Sequence, residues 1–321
     1  MVTGGAGFIG SHTCKHLALA GYRPVVLDNL SVGHVSSVKW GPLVRADVRD
    51  SAAVTNALRD YDIKTVMHFA ASAYVGESVD RPLAYYDNNV SGMIAVLQAS
   101  KAAGVKHFVF SSSCATYGAP ERQPISEGAL QAPTNPYGHT KLMCEQILSD
   151  QANTSVMTYA ILRYFNAAGS DEDGELAEKH SPETHIIPLA LMAVSGAVSR
   201  FQIYGADYDT PDGTCVRDYI HVTDLARGHI AALQELMRGA PSFAVNLGSG
   251  TGHSVREILA EIEAITGCKV PVTQAARRAG DPPVLVADPT RAREMLGFEA
   301  SRSGLQTILR DAAPHFGVSL I

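Results

Sequence analysis

"VTGGAGFIGSH" (2–12) sets three glycines, Gly4, Gly7 and Gly10, at three-residue intervals. Val2 and Thr3 lead in as a strand, and "SHTCKHLALAGY" (11–22) follows with helical patterning. In this strand–turn–helix setting each glycine has its own task. Gly4 permits the tight turn, Gly7 lets the backbone approach a pyrophosphate at the helix N-terminus, and Gly10 lets the helix lie close on the strand. Two carboxylates extend the reading. Asp28 closes the next apolar run, "PVVLD" (24–28), where it can accept both hydroxyls of an adenosine ribose and repel a 2′-phosphate. That choice favours NAD over NADP. Asp47, in "RADVRD" (45–50), stands where an adenine amino group can be read. A central strand usually has about five or six residues. This one has three before Gly4, so native residues are expected to precede Met1.

Further short apolar runs succeed one another: "TVMHFA" (65–70), "HFVFSS" (107–112), "YAILRYF" (159–165) and, much later, "SFAVNLGSG" (242–250). Helical patterns lie between them, such as "VSGMIAVLQASKAAGV" (90–105), which closes at Gly104. Strands buried on both faces and joined by helical crossovers imply a doubly wound parallel α/β sheet of the Rossmann type. After residue 166 the texture changes. "GSDEDGELAEKHSPET" (169–184) is polar and loop-like, and "GADYDTPDGTCVRDYIHV" (205–222) is rich in turn residues. The expected organisation is a dinucleotide-binding domain over 1–165, with 242–248 returning to its sheet. A smaller mixed α/β substrate-binding domain is expected over 166–321.

Composition excludes several classes. The 321 residues are 46% hydrophobic and 18% charged with a net charge of −6, enough for a large core and without the basic block that grips nucleic acid. Five scattered cysteines form no CxxC pair, which argues against zinc fingers and a disulfide framework and for a reducing, cytoplasmic setting. There is no apolar run of membrane-spanning length. His12 and His16 are four apart on a helix without a third ligand in view, so no metal is assigned. His68, on a buried-looking strand, reads as a hydrogen-bonded core histidine.

"TNPYGHTKLMCEQIL" (134–148) carries the chemistry. Asn135 suits an N-cap and Pro136 the first helical position, so a helix starts here and shows Tyr137 and Lys141 on one face. A free phenol ionises near pH 10. A neighbouring cation, the positive helix end and an oxidised nicotinamide would favour the phenolate. "FSSSCATYG" (110–118) ends a strand, and the carboxyl end of a parallel strand is where ligands bind in open sheets. Ser113 can share a hydrogen bond with a substrate hydroxyl. Position alone assigns Ser111 and Ser112 to structure.

Together, "TGGAGFIGSH", "LDNLSVG", "HFAA…VGES", "YYDNNV", "FSSSCATYG", "NPYGHTK", "RYFNAAG", "DGTCVRDYIHV" and "NLGSG" resemble the UDP-glucose 4-epimerases of the extended short-chain dehydrogenase/reductases, in order and across nearly the whole chain. The resemblance implies that Tyr137 takes the sugar O4 proton with Ser113 bridging, and that Lys141 holds the nicotinamide ribose. It implies a cofactor site of Gly4, Gly7, Phe8, Ile9 and Gly10 at the pyrophosphate, Asp28 and Asn29 at the ribose, and Asp47 and Val48 at the adenine. Phe69, Ala70 and Ala71 lie along the dinucleotide, Asn88 near its phosphates, and Ser111 and Tyr164 on the nicotinamide side. For a UDP-sugar it implies Asn166 and Arg217 at the phosphates, Tyr204 by the uracil, Arg278 and Asp281 at phosphate and ribose, and His185 near the sugar. From the residues alone, Asp218 and Asp224 are alternative salt-bridge partners for Arg217. A homodimer through helices near 85–103 and 137–152 is also implied.

The chain departs from the family pattern at three positions. Ala73 replaces a cofactor-contacting lysine, His185 replaces an asparagine, and Leu285 occupies a position that limits sugar size. N-acetylhexosamine and pentose (xylose/arabinose) substrates therefore stand as alternatives. A 4,6-dehydratase is disfavoured, because Cys114 and Ala115 occupy the positions of its acid–base pair. A non-catalytic NAD sensor is disfavoured because Tyr137 and Lys141 are both present.

Overall fold

Seven parallel strands make the central sheet of the computed structural model, which describes residues 1–278 and 280–321. They are β1 (Val2–Thr3), β2 (Val26–Asp28), β3 (Leu43–Arg45), β4 (Thr65–His68), β5 (His107–Ser113), β6 (Thr158–Tyr164) and a late strand, Phe243–Leu247. Their order is Phe243–Leu247, β6, β5, β4, β1, β2, β3. The chain therefore reverses its direction of winding between β1 and β4. That reversal opens a crevice at the carboxyl ends of the strands, where dinucleotides bind in such sheets. This is the expected doubly wound α/β fold.

The apolar runs are dense because alternate residues serve two different layers. Met67, Val109 and Leu162 pack on one face with Leu17 of helix α1 (Phe8–Leu19) and with Leu225 and Leu233 of the helix Val222–Met237. Val66, Phe108 and Ile161 pack on the other with Val54 and Leu58 of helix α2 (Ser51–Asp60), Met93 and Val96 of Gly92–Ala103, and Leu148 of Pro136–Ala152. Two local features depart from expectation. Helix α1 begins at Phe8 rather than Ser11, which places Gly10 inside it. The edge strand β3 had no sequence signal, since it is three residues long and only partly buried.

A second, smaller body is built from later residues. Val216–His221 pairs in parallel with Asn166–Ala168 and Val284–Leu285, and antiparallel with Gly252–Ser254. Phe201–Tyr204 pairs in parallel with Val272–Ala275. Ile187, Leu191, Phe201, Tyr219, Ile258 and Ile308 share its core. No described helix is long and apolar enough to cross a membrane, and all five cysteines are free.

Three buried histidines are expected to make the fold acid-labile. His68 Nδ1 lies 2.7 Å from Thr3 Oγ1, across paired strands, as a hydrogen-bonded core residue. Burial holds His12 and His229 down to about 4 and His68 down to about 3. Each therefore takes up its proton first in the unfolded chain. Stability is complete above the unfolded value of about 6.5 and falls as pH drops towards the folded values. Together the three are expected to remove roughly 5 kcal/mol between pH 6.5 and 5. Urea midpoints at pH 7 and pH 5 measure this, and equal midpoints would refute it.

Candidate active site

The glycine turn lies at the mouth of the crevice. Gly4 adopts φ +70°, and a Cβ there would stand 2.6 Å from the Ala70 nitrogen. A Cβ on Gly10 would stand 2.2 Å from the Gly4 carbonyl oxygen. Both positions therefore admit only glycine. Gly7 is less crowded: its added Cβ would be 3.3 Å from the Gly4 carbonyl oxygen, a tight contact that a shift of a few tenths of an ångström relieves. Gly7 caps α1 without a side-chain bond, and the N–H groups of Phe8, Ile9 and Gly10 have no acceptor within the helix. Asp28, at the end of β2, accepts from Ala6 N (3.0 Å) and Leu30 N (2.8 Å), which locks its carboxylate against the turn. Asn29 Nδ2 donates to Asp47 Oδ2 at 3.0 Å. Hydrogen bonds from Arg49 hold the Asp47 carboxyl well below the usual range. Val48 is buried next to it. Open amides, a tied carboxylate and a side-chain-free cradle at the winding reversal fit a dinucleotide.

Phe69, Ala70 and Ala71 continue from β4 along the same crevice, where the Phe69 ring packs 4.6 Å from that of His229. The segment is held from the side. Asn89 is buried, accepts from Ser72 N at 2.7 Å and donates to Thr140 Oγ1 at 3.0 Å. Asn88 Nδ2 donates to Ser72 Oγ at 3.2 Å. Both asparagines sit in a π-helical stretch, Tyr86–Ser91, a widening common at functional sites. Sequence reasoning named Asn88 and missed Asn89, which ties the crevice loop to the helix carrying Tyr137.

That helix, Pro136–Ala152, starts as its sequence requires: Asn135 Oδ1 accepts from Gly138 N at 2.9 Å and Pro136 occupies the first turn. Tyr137 and Lys141 follow one turn apart. Lys141 Nζ is buried, donates to Ser111 O at 2.7 Å and stands 5.8 Å from the Tyr137 ring centre. Ser113, at the carboxyl end of β5, neighbours Tyr137, and Ser111 Oγ bonds Tyr164 Oη.

The expected lowering of the Tyr137 pKa is not supplied by the protein alone. Burial pushes it up to about 12, against the pull of the Ser113 hydroxyl. Burial also pushes Lys141 down to about 8. Removing both groups from water disfavours both charges, and the Lys141 ammonium is committed to the Ser111 carbonyl. The phenol is thus neutral until further positive charge arrives.

Behind the strand end lies a network that sequence reasoning missed. Ser112 Oγ donates to Glu145, which also accepts from Arg163 Nη2 (2.7 Å) and Gln131 Nε2 (3.0 Å). Arg163 Nη1 donates to Tyr117 Oη at 3.0 Å, and Tyr117 Oη donates to Asn246 Oδ1 at 2.8 Å. Residue 145 continues the 137, 141 spacing, so its place on the same helix face was readable. Glu145→Ala leaves the buried Arg163 charge unpaired and is expected to cost about 3–5 kcal/mol. Glu145→Leu combined with Arg163→Met is expected to cost less than that single change, as chemical denaturation will read.

The residues implied for a UDP-sugar come together in part. Asp281 joins Arg217 Nη2 (2.9 Å) to Arg278 Nη2 (3.0 Å), and the Arg278 guanidinium stacks 5.0 Å from the Tyr204 ring centre. The partner of Arg217 is therefore Asp281. Asp218 is instead used by Ser249, Gly250 and Ala287 amides, and Asp224 by Arg302 N and Ser303. Asn166 Nδ2 donates to Asp218 O at 3.0 Å. Leu285 pairs in register with Arg217 and packs with Tyr117 and Phe165. His185 Nδ1 lies 2.9 Å from both Glu178 and Glu183.

Residues 1–248 match the model of the NAD dependent epimerase/dehydratase family. The chain belongs to this family. It is 52% identical to a UDP-glucose 4-epimerase of Rhizobium meliloti (strain 1021), covering 93% of this chain and 91% of that one. The crystal structure of UDP-glucose 4-epimerase from Brucella ovis in complex with NAD superposes with a TM-score of 0.98 at 56% identity, over 100% of this chain and 98% of the other. The Bifidobacterium longum UDP-glucose 4-epimerase in complex with NAD+ and UDP gives 0.92 at 38% identity, over 97% and 96%.

Proposed function

We propose that this protein is an NAD-dependent isomerase that inverts C4 of a UDP-hexose, interconverting UDP-galactose and UDP-glucose through a transient 4-keto sugar. The observation that carries the reading is the Tyr137–Lys141 face of one helix beside Ser113 at the end of β5, next to the glycine turn. Bound NAD+ supplies a hydride acceptor and donor that ends each cycle unchanged. The turn from Gly4 to Gly10 holds its pyrophosphate on the amides of Phe8 and Ile9. Asp28 and Asn29 hold the adenosine ribose, and Asp47 and Val48 the adenine. Phe69, Ala70, Ala71, Asn88, Ser111 and Tyr164 flank the remainder.

Tyr137 Oη accepts the O4 proton and later gives it back, and Ser113 orients that hydroxyl. Lys141 fixes the nicotinamide ribose and, with the charge of the oxidised ring, favours the phenolate that the protein alone disfavours. Arg217 and Arg278, bridged by Asp281, take the diphosphate, a task suited to planar donor forks. Tyr204 covers the uracil, and Asn166 adds a contact to the phosphates. The two glutamates on Nδ1 leave His185 only its Nε2 edge for a sugar. The working units are 1–165 with 242–248, and 166–321.

A second copy of the chain is the proposed partner. Ile94 (40% exposed) and Met143 (43%) lie outward on the two helices that the resemblance implicates, and an apolar surface of this kind suits a four-helix interface. Sedimentation is expected to give a dimer, and Ile94→Glu with Met143→Glu a monomer.

Incubation of NAD-saturated protein with UDP-galactose, followed by NMR of the product, tests the function. Conversion to UDP-glucose is expected, and its complete absence would reject the reading. Parallel arms with UDP-N-acetylglucosamine, UDP-xylose and UDP-glucuronate define the sugar range that Leu285 permits.

A further inference from the structure

Glu178, His180, Glu183 and His185 lie within one short stretch, "ELAEKHSPETH" (175–185). One ligand atom from each lies within 4.8 Å of every other. His185 Nδ1 is 2.9 Å from Glu178 Oε1 and 2.9 Å from Glu183 Oε1. His180 Nδ1 is 3.0 Å from Glu178 Oε1 and 3.7 Å from Glu183 Oε2. A tetrahedral ion with bonds of about 2.0–2.1 Å has ligand-to-ligand edges of about 3.4 Å. The measured separations straddle that edge.

Two observations separate this group from an ordinary ion-pair cluster. His180 Nδ1 is buried and makes no hydrogen bond, although a carboxylate oxygen is 3.0 Å away. In this pair nitrogen and oxygen are close but not aligned, as two ligands of a common ion would be; His185 Nδ1 does bond Glu183 Oε1 at 2.9 Å, an oxygen that also accepts from the Thr184 and His185 amides. The neighbouring acidic group supplies the contrast. Asp171, Asp173 and Glu175 also converge, but Lys15 Nζ already fills their centre at 2.8, 2.7 and 2.9 Å. Among the described residues Glu178 and Glu183 have no lysine or arginine partner. Without an ion the two histidines are the glutamates' ion-pair partners; a dication would replace the two imidazole protons and leave the charge balanced.

We propose that Glu178, His180, Glu183 and His185 bind one divalent transition-metal ion, with Zn2+ the best match to an all-nitrogen-and-oxygen donor set of this size. The ion is structural. His185 is the residue from which the helix Ile186–Val194 starts. The His180 ring meets Phe8, the first residue of α1, edge-on at 6.3 Å, and Tyr74 at 5.8 Å. The ion thereby clips the 178–185 loop onto the glycine turn and onto the crevice loop that follows β4.

The test uses the full chain, stripped with a chelator and dialysed against Zn2+. Elemental analysis is expected to find one zinc per chain, with a higher melting temperature than the stripped protein. Co2+ loading is expected to give the intense visible bands of a tetrahedral site. His180→Gln with His185→Gln should abolish uptake with an unchanged circular dichroism spectrum, whereas Asp173→Asn, in the lysine-filled group, should retain it. Stripped wild-type protein that takes up no zinc and melts at the same temperature with or without it would overturn the proposal. So would a double variant that keeps the wild-type zinc content.

Discussion

Tyr137→Phe is expected to lower kcat for UDP-galactose about 10²–10⁴-fold, the usual contribution of a positioned acid–base group. The change removes one oxygen and keeps the ring, so the fold, NAD content and UDP affinity should stay near wild type. A loss of kcat with those three unchanged assigns the proton transfer to Tyr137, and undiminished turnover would remove it from that role. The electrostatics give a second readout. Burial alone sets the phenol up to about 12 and the Lys141 ammonium down to about 8. Lys141→Met deletes a positive charge beside the phenol, which disfavours the phenolate and raises the Tyr137 pKa. The rising limb of the pH–kcat profile should therefore move to higher pH, with the loss largest near neutrality. A profile that keeps its position while falling uniformly would mean that Lys141 serves only to hold the ribose.

The sheet was legible because its strands are buried on both faces: Val66 and Met67 serve opposite layers, and so do Phe108 and Val109. Runs without polar alternation are what such burial produces. The edge strand β3 has no second layer to fill and left no run to read. In the site, Asn135, Pro136, Tyr137 and Lys141 were readable because helix capping and helical spacing are local rules. The partners of Asn89, Glu145 and Arg163 were not, even though residue 145 falls on the same helix face, since they lie 18 to 51 residues away in the chain, as Glu145 does from Arg163 and Thr140 from Asn89. The 178–185 stretch reads as a polar loop and is one, but donor type and spacing do not reveal that its four donor atoms converge. For Tyr137 the sequence shows the neighbouring charges and hides the desolvation, which in the protein without its cofactor pushes the phenol up.

Gly10→Ala and Gly7→Ala should part company, although both add a single methyl group to the same turn. In an α-helix alanine is favoured over glycine by about 1 kcal/mol, so at position 10, inside α1, helix propensity alone forecasts a more stable protein. The structure forecasts the reverse. The new Cβ would lie 2.2 Å from the Gly4 carbonyl oxygen, a backbone atom that cannot swing aside. Relief requires α1 to lift off β1, which opens the face where Leu17 packs with Met67 and distorts the turn at Gly4. Overpacking of this kind costs about 1–3 kcal/mol, occasionally more, which outweighs the propensity gain. Gly10→Ala is therefore expected to lower the urea midpoint and to lose NAD at least tenfold in affinity. At position 7 the nearest protein atom would be 3.3 Å from the new Cβ, and the backbone is already in an extended conformation open to any residue. Gly7→Ala should lower the midpoint less than Gly10→Ala does and still lose NAD affinity, because its methyl projects where the pyrophosphate has to approach. Paired urea titrations and NAD calorimetry separate the two roles. A Gly10→Ala protein as stable as wild type would show that the close seat of the helix on the strand does not constrain this position.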